Sequence, residues 1–480
     1  MKSSCDVVAP ILADLFNKCK AVNLFPKYFK IAKVIPLFKS GDRENVNCYC
    51  PISLLPAISK LFEKIIAVRT LKHFNDNNLF SKHQFGFREG FNTEYAMLDI
   101  YEKLLSNLDQ GLSSCAIFLD LAKAFDSVDH SILLQKLSKY GITGNALKLF
   151  ESYLSDRYQF VEINGIQSSM TTIEFGVPQG SILGPLLFLI FINDLPEATN
   201  FYVKLFADDT FLCAENSDFN ALENEVNFEL EKVFTWLAAN KLTLNISKSK
   251  FMLLSNKIHV PNDFLVKIND EPLERCDSYK YLGVIFDKNL NWKEHISYVC
   301  QKVSKACGAL AKLRHCVNTN VLKEVYYSLF YSYIRYGLLV WGNASDSILK
   351  PIQTVMNRAV RIVTFAPFGR IDLTDLYDCL RILDVNKIFR LETAKYLFKE
   401  KNDLLPVSIA NHFTPRSNLP EITYNLRPRL TPSYTFRLAS IQEKSIKSKE
   451  TIWNEIPEHI KHNCSFNSFK KQLKEFLTEY

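Results

Sequence analysis

The chain has 480 residues, 47% hydrophobic and 13% aromatic, with 58 Lys and Arg against 51 Asp and Glu for a net charge of +7. That apolar share excludes a mainly disordered chain, and 15 Gly with 18 Pro exclude collagen-like or linker-dominated architectures. The length corresponds to about three domains.

Val7 to Cys19 reads as a short amphipathic helix and Lys33 to Phe38 as a strand, followed by a turn at Ser40-Gly41-Asp42. Residues 1–30 lack the cationic stretch, apolar core and cleavage site of a signal peptide, so an intracellular chain, nuclear or cytoplasmic and not secreted, is expected. Its twelve irregularly spaced cysteines then read as free thiols. Ser59 to Leu71 is helical. Thr93 to Asp109 is a helix with a Thr cap and Gly111 past its end. Cys115 to Leu119 is a continuous apolar run, the mark of a buried strand. Asp129 to Tyr140 is a helix capped by Asp and stopped at Gly141. Ile182 to Ile192 is the longest apolar run. It is broken by Gly184 and Pro185 and is shorter than the roughly 20 residues that span a bilayer, so no membrane partner is expected.

Val203–Phe206 and Thr210–Cys213 are short strands around Ala207-Asp208-Asp209, and Leu222 to Leu237 carries apolar residues at helical spacing. Strands are expected at Leu242–Ile246, Phe251–Leu254 and Tyr281–Phe286, and mostly helix from Trp292 to about Lys401. Beyond that, Pro406, Pro415, Pro420, Pro428, Pro432 and Pro457 break up a mixed, basic stretch. An α+β core followed by a helical, basic extension results.

Charge is concentrated in one place. Between Cys300 and Arg361 nine basic residues, among them Lys302, Lys305, Lys312 and Arg314, face only Glu324 and Asp346. The same stretch holds Tyr326, Tyr327, Tyr331, Tyr333, Tyr336 and Trp341. Cations mixed with rings suit a nucleic-acid groove. A solvated basic helix over an aromatic core has the same composition.

Asp120 ends the apolar run Ala116-Ile117-Phe118-Leu119, and Asp208-Asp209 sits at the tip of an apolar hairpin. Ionised carboxylates at the edge of a core are costly unless paired or bound to a cation. Such groups on neighbouring strand ends suit two divalent cations that clamp a phosphoryl transfer. Turn and cap roles are the bland alternative. Gly176-Val177-Pro178-Gln179-Gly180-Ser181 forms a turn whose backbone permits close approach of a base or sugar.

These motifs, in order, resemble the polymerase core of reverse transcriptases, specifically those of non-LTR (LINE-type, jockey-like) retrotransposons. The resemblance runs from about Asn23 onward and is carried by Ile31–Lys64, His83–Arg88 (HQFGFR), Phe118–His130 (FLDLAKAFDSVDH), Gly176–Pro196 (GVPQGSILGPLLFLIFINDLP), Phe206–Thr210 (FADDT), Tyr281–Asp287 (YLGVIFD) and Ile452–Pro457. It implies a right-hand polymerase, with fingers, a palm built on an antiparallel sheet, a helical thumb and a mixed C-terminal extension. The expected division is a helical lead-in at 1–22, fingers and palm at 23–290, thumb at 291–365 and an extension of unassigned role at 366–480. RNA-directed DNA polymerisation on an RNA template from a DNA primer with dNTPs is implied. Asp120, Asp208 and Asp209 would hold two Mg²⁺, or Mn²⁺ in their place.

By the same motifs Phe125 would crowd the sugar C2′, Gln179 and Gly180 would line the nucleotide, and Lys248 would donate a proton to pyrophosphate. Lys39 and Arg88 would grip phosphates from the fingers, and Lys302, Lys305, Lys312 and Arg314 would track the nucleic-acid backbone from the thumb. The match is imperfect at Asn47-Cys48-Tyr49-Cys50-Pro51-Ile52-Ser53, where an Arg normally precedes the Pro and Cys50 stands instead. Loss of that guanidinium favours an alternative, an impaired remnant that binds RNA or primer–template without synthesis. Only about thirty residues precede the fingers motif, so the upstream endonuclease domain of such elements is not expected here.

Overall fold

The structure is a computed structural model that describes residues 5–367, 371–406, 409, 437–446, 449–462 and 465–479. Pro415, Pro420, Pro428 and Pro432 lie outside the described residues, as does Cys464. Helix α1 (Cys5–Ala21) leads to the antiparallel strands β1 (Ile31–Phe38) and β2 (Tyr49–Leu54), then α2 (Ala57–Asp76) and α3 (Thr93–Asp109). Next come β3 (Ser113–Leu119), α4 (His130–Lys139), α5 (Gly144–Leu154), β4 (Arg157–Ile163), β5 (Ile166–Gln167), β6 (Thr171–Ile173) and α6 (Leu183–Ile192). The hairpin β7 (Tyr202–Phe206) and β8 (Asp209–Asn216) precedes α7 (Phe219–Ala239) and β9 (Lys250–Leu254). Short strands follow: β10 (Lys267–Ile268), β11 (Glu271–Pro272), β12 (Glu274–Arg275), β13 (Ser278–Tyr281) and β14 (Val284–Asp287).

From there the chain is helical: α8 (Lys293–Leu313), α9 (Thr319–Val325), a π-helical turn at Tyr326–Tyr331, α10 (Ser332–Arg335), α11 (Leu338–Trp341), α12 (Asp346–Val363), α13 (Leu373–Leu380) and α14 (Val385–Lys401). Helices at Ala439–Lys444, Glu450–Asn454, Glu458–Lys461 and Phe466–Glu479 return to pack on this body. Phe469 stacks on Phe398 of α14 at 4.2 Å.

The α+β architecture expected from the sequence is present. One sheet joins β2, β1, β4, β5 and β6, with β1 parallel to β4. The second has the order β12-β9-β3-β8-β7 and is antiparallel except for the edge pair β12–β9. Every residue of β3 is buried. Ala116 and Phe118 join one core with α3, α8 and α12, whereas Cys115, Ile117 and Leu119 join another with α4, α6 and α7. A strand covered on both faces needs apolar residues without alternation, which explains the unbroken run in the sequence. Among the described residues no helix is long and apolar enough to cross a membrane.

Three sequence expectations are corrected. Leu242–Ile246 is not a strand. Only Leu244 makes a bridge, to Leu121, because the segment turns to bond the backbone of Asp120. Tyr281–Phe286 is not one strand but the turn of the hairpin β13–β14, with Leu282 and Gly283 at positive φ. The cap of α3 is Asn92, whose side chain accepts the N–H of Tyr95, and not Thr93.

Candidate active site

The register of β3 against β8 assembles the carboxylates. Leu119 pairs with Thr210 as the last pair of the ladder, so Asp120 follows β3 at the sheet end where Asp209 begins β8. Phe206 pairs with Asp209, which leaves Ala207-Asp208 as the two-residue turn of β7–β8, with Ala207 at φ +56. Three acidic residues distant in sequence thus reach one end of one sheet.

Their electrostatics reflect this crowding. Burial raises the Asp208 carboxyl above its ordinary range, and the charge of Asp120 adds to the effect. Asp209 stays water-accessible at the mouth of the site, yet the surrounding protein, then Asp208 and Asp120, push it up to about 6. The Lys39 ammonium, just past the end of β1, opposes both shifts. Lys248 lies 3.8 Å from the Asp120 carboxylate. Its turn also fixes the Asp120 backbone, whose N–H donates to Ser249 Oγ at 3.1 Å and whose carbonyl accepts from Asn245 at 2.8 Å.

Carboxylates that repel one another in a partly desolvated site fit a hard divalent cation by donor type and charge. The expected three-residue cage is nevertheless not closed. Among the described residues no three His, Cys, Asp or Glu side chains converge on a single metal position. The sheet end gathers the three acids, with Lys248 beside Asp120.

The loop at residues 176–181 flanks the acids. Gln179 donates its amide N–H to both oxygens of Asp126, at 3.0 Å each. Its backbone carbonyl accepts the Ser53 N–H at 2.7 Å. Gly180 has φ +124, and a Cβ there would meet the Ser53 carbonyl at 2.5 Å, so the position admits only glycine. The half-buried Phe125 ring stacks on Phe188 of α6 at 4.6 Å.

Two expectations fare differently. Arg88, expected to grip phosphates, is engaged within its own loop. Its guanidinium donates to the carbonyls of Ser81 and Gln84 and lies over Phe91 at 4.3 Å, because a half-buried cation in a tight loop is best satisfied locally. Lys302, Lys305 and Lys312 recur on one side of α8, whereas Arg314 sits over Phe365 at 5.0 Å. Of the rings in that stretch, Tyr326 and Trp341 are fully buried, so they serve the core and not a groove.

Sequence reasoning missed Gln84 and Gly86 as site residues, although both lie in the quoted HQFGFR motif. The Gln84 side-chain oxygen accepts the N–H of Gly86 at 2.8 Å and of Ala207 at 3.1 Å. A Cβ on Gly86 would meet Ala207 N at 2.5 Å. The motif therefore buttresses the carboxylate turn. Asp126 was also missed; its place beside Gln179 gave no signal by spacing.

Residues 39–286 match the family model described as Reverse transcriptase (RNA-dependent DNA polymerase). The chain is 29% identical over 403 residues to the probable RNA-directed DNA polymerase from transposon BS of Drosophila melanogaster, covering 80% of this chain and 44% of that protein. It is 31% identical over 361 residues to the probable polymerase from transposon X-element of the same organism, covering 73% and 39%. To the RNA-directed DNA polymerase from mobile element jockey of D. melanogaster it is 28% identical over 420 residues, covering 84% and 45%. The chain thus spans less than half the length of these relatives. Among solved structures, apo telomerase from Candida tropicalis aligns with a TM-score of 0.41 and 11% identity, over 85% of this chain and 72% of that one.

Proposed function

The chain belongs to the reverse transcriptase family, and from that premise we propose that it extends a primer 3′-hydroxyl with dNTPs on an RNA template, as the polymerase of a non-LTR retrotransposon. The observation that supports this most is the β3–β8 register, whose last pair, Leu119–Thr210, brings Asp120 and Asp209 to one end of the sheet beside the Asp208 turn. Asp120 and Asp208 would hold Mg²⁺, or Mn²⁺, as a pair of ions with Asp209 beside them. Cations bound there supply neutralisation of the triphosphate and of the charge that develops at the α-phosphorus.

The remaining roles fall to the protein's own groups. Lys39 meets triphosphate charge from the fingers side. Gln179, its amide N–H held by Asp126, offers its side-chain oxygen as an acceptor, and Gly180 lets the nucleotide approach the backbone. Phe125, braced on Phe188, crowds the sugar C2′ and so favours deoxyribonucleotides. Lys248 delivers a proton to the departing pyrophosphate. Lys302, Lys305 and Lys312 track template and primer phosphates. An intracellular site of action follows from such substrates.

Primer extension on an RNA template with dNTPs and Mg²⁺ tests the reading. Wild type should extend and Asp208→Ala should not; equal extension by both would overturn it. A second reading, binding without synthesis, is favoured by Cys50, a thiol on β2 opposite Leu37 where an Arg is expected. If that reading holds, Cys50→Arg gains about ten- to a hundredfold in nucleotide capture. Full-rate extension by wild type excludes it.

A further inference from the structure

Glu63 is fully buried on α2, 119 residues from the loop that it touches. Its carboxylate accepts the N–H of Ile182 at 2.8 Å and of Leu183 at 3.2 Å, and the Ser59 hydroxyl at 3.1 Å. Those N–H groups open α6, where helix geometry leaves donors without intrahelical partners. A carboxylate there satisfies two of them and suits the positive end of the helix.

A buried carboxylate needs a counter-charge. Arg157, the first residue of β4, is also fully buried, and among the described residues only its Nη1 finds a partner, the Tyr153 carbonyl at 3.0 Å. Burial raises the Glu63 carboxyl, while the two N–H groups and the charge of Arg157 oppose that shift and favour the ionised form. The Arg157 guanidinium covers the Tyr153 ring at 4.7 Å. Glu63 with Ser59, and Arg157 with Tyr153, thus form two buried polar pairs.

The loop is consequently pinned twice from one direction. β2 holds Gln179 through the Ser53 N–H, and α2, which follows β2 directly, holds residues 182 and 183 through Glu63. Gln179 and Gly180 lie at and just inside the first pin.

We infer that Glu63 is a positioning residue that fixes the nucleotide-lining loop from the fingers side. This rests on the proposed polymerase reading for its kinetic part only. The test uses the full chain with Glu63→Ala, Glu63→Gln and Glu63→Gln/Arg157→Met. Hydrogen exchange is followed across residues 176–184, together with KM for dNTP, kcat and affinity for primer–template.

Glu63→Ala should speed exchange at residues 182 and 183 by about tenfold and raise KM by about tenfold, with kcat and template affinity little changed. Glu63→Gln keeps an oxygen for both N–H groups but strands Arg157, so adding Arg157→Met should return KM toward wild type. If Glu63→Ala does not fold, the two Gln variants decide the matter. Wild-type exchange and KM in Glu63→Ala, or a joint fall of dNTP capture, kcat and template affinity in the Gln variants, would overturn the inference. If wild type incorporates no nucleotide, the polymerase reading fails instead, and exchange alone still judges the positioning role.

Discussion

Gly86→Ala tests whether the carboxylate turn depends on its buttress. A Cβ on Gly86 would sit 2.5 Å from Ala207 N, 3.0 Å from Phe206 C and 3.2 Å from Ala207 Cα, all backbone atoms. Ordinary contact begins at 3.4 Å, so in a close-packed interior the turn bearing Asp208 must retreat by about 0.9 Å. Movement of that size at a reacting centre costs on the order of a hundredfold in rate, about 2.7 kcal/mol on the barrier. The retreat also strains the Gln84 bonds to Gly86 and Ala207. Overpacking lowers stability by about 1–3 kcal/mol, so the variant must be shown folded by thermal melting before turnover is measured. Gly308→Ala is the control. A Cβ there meets nothing within 4 Å in the middle of α8, and helix propensity predicts a gain of up to about 1 kcal/mol with unchanged turnover. Single-turnover extension with saturating dNTP reads the effect. A Gly86→Ala enzyme within threefold of wild type would refute the buttress argument.

Asp126→Asn should turn an amide donor against Gln179 Nε2 and raise KM for dNTP about three- to tenfold; an unchanged KM would mean that Gln179 needs no orienting. Neutralising Lys302, Lys305 and Lys312 should flatten the salt dependence of duplex binding by ~0.9 in log K per log[salt] for each phosphate no longer neutralised. Arg314→Gln should do less, since that guanidinium covers Phe365. An unchanged slope would take α8 out of the groove. His295 accepts the Ile285 N–H through Nδ1 at 3.3 Å, and burial, with help from Lys280, lowers its imidazole to about 4. The unfolded chain therefore binds this proton first. Stability present above about pH 6.5 falls as pH drops toward 4, by roughly 3 kcal/mol from this group. Glu94 and Glu400, each raised to about 7 by burial, act in the opposite sense in wild type and variant alike. Urea titrations of His295→Asn should show the smaller acid loss, and identical pH profiles would refute it.

Local periodicity carried most of the fold. The β3 run, the Asp129 cap of α4 and the spacing of α7 are signals that a sequence displays within one element. Leu242–Ile246 had strand composition, but hydrogen bonds to Ala122 and Asp120 drew it into a turn. In Tyr281–Phe286 the signal was present at Gly283 and outweighed by apolar neighbours. The acids stood out as charge at the edge of a core, but turn and cap roles read the same way, and their grouping came from the resemblance carried by FLDLAKAFDSVDH and FADDT. Gln84, Asp126 and Glu63 did not stand out, because each acts on a partner 53 to 123 residues away, a distance that no periodicity reports. The tyrosines after Trp292 misled in part, since a ring composition does not say which side of a helix faces inward.

The segments after residue 436 clasp a helix laid down more than three hundred residues earlier. Asp109 at the end of α3 receives the N–H groups of Arg437 and Leu438, at 2.9 and 2.8 Å, and Glu102 receives the Ser445 hydroxyl and the Ile446 N–H. Phe469 and Leu473 complete the cover over Phe398. A ribosome delivers these groups well after the carboxylate hairpin has emerged, so during translation α3 waits for the last of its hydrogen-bond donors. A message cut short before codon 437 would encode every catalytic candidate and still yield a product with an open seam, exposed to proteases and to aggregation.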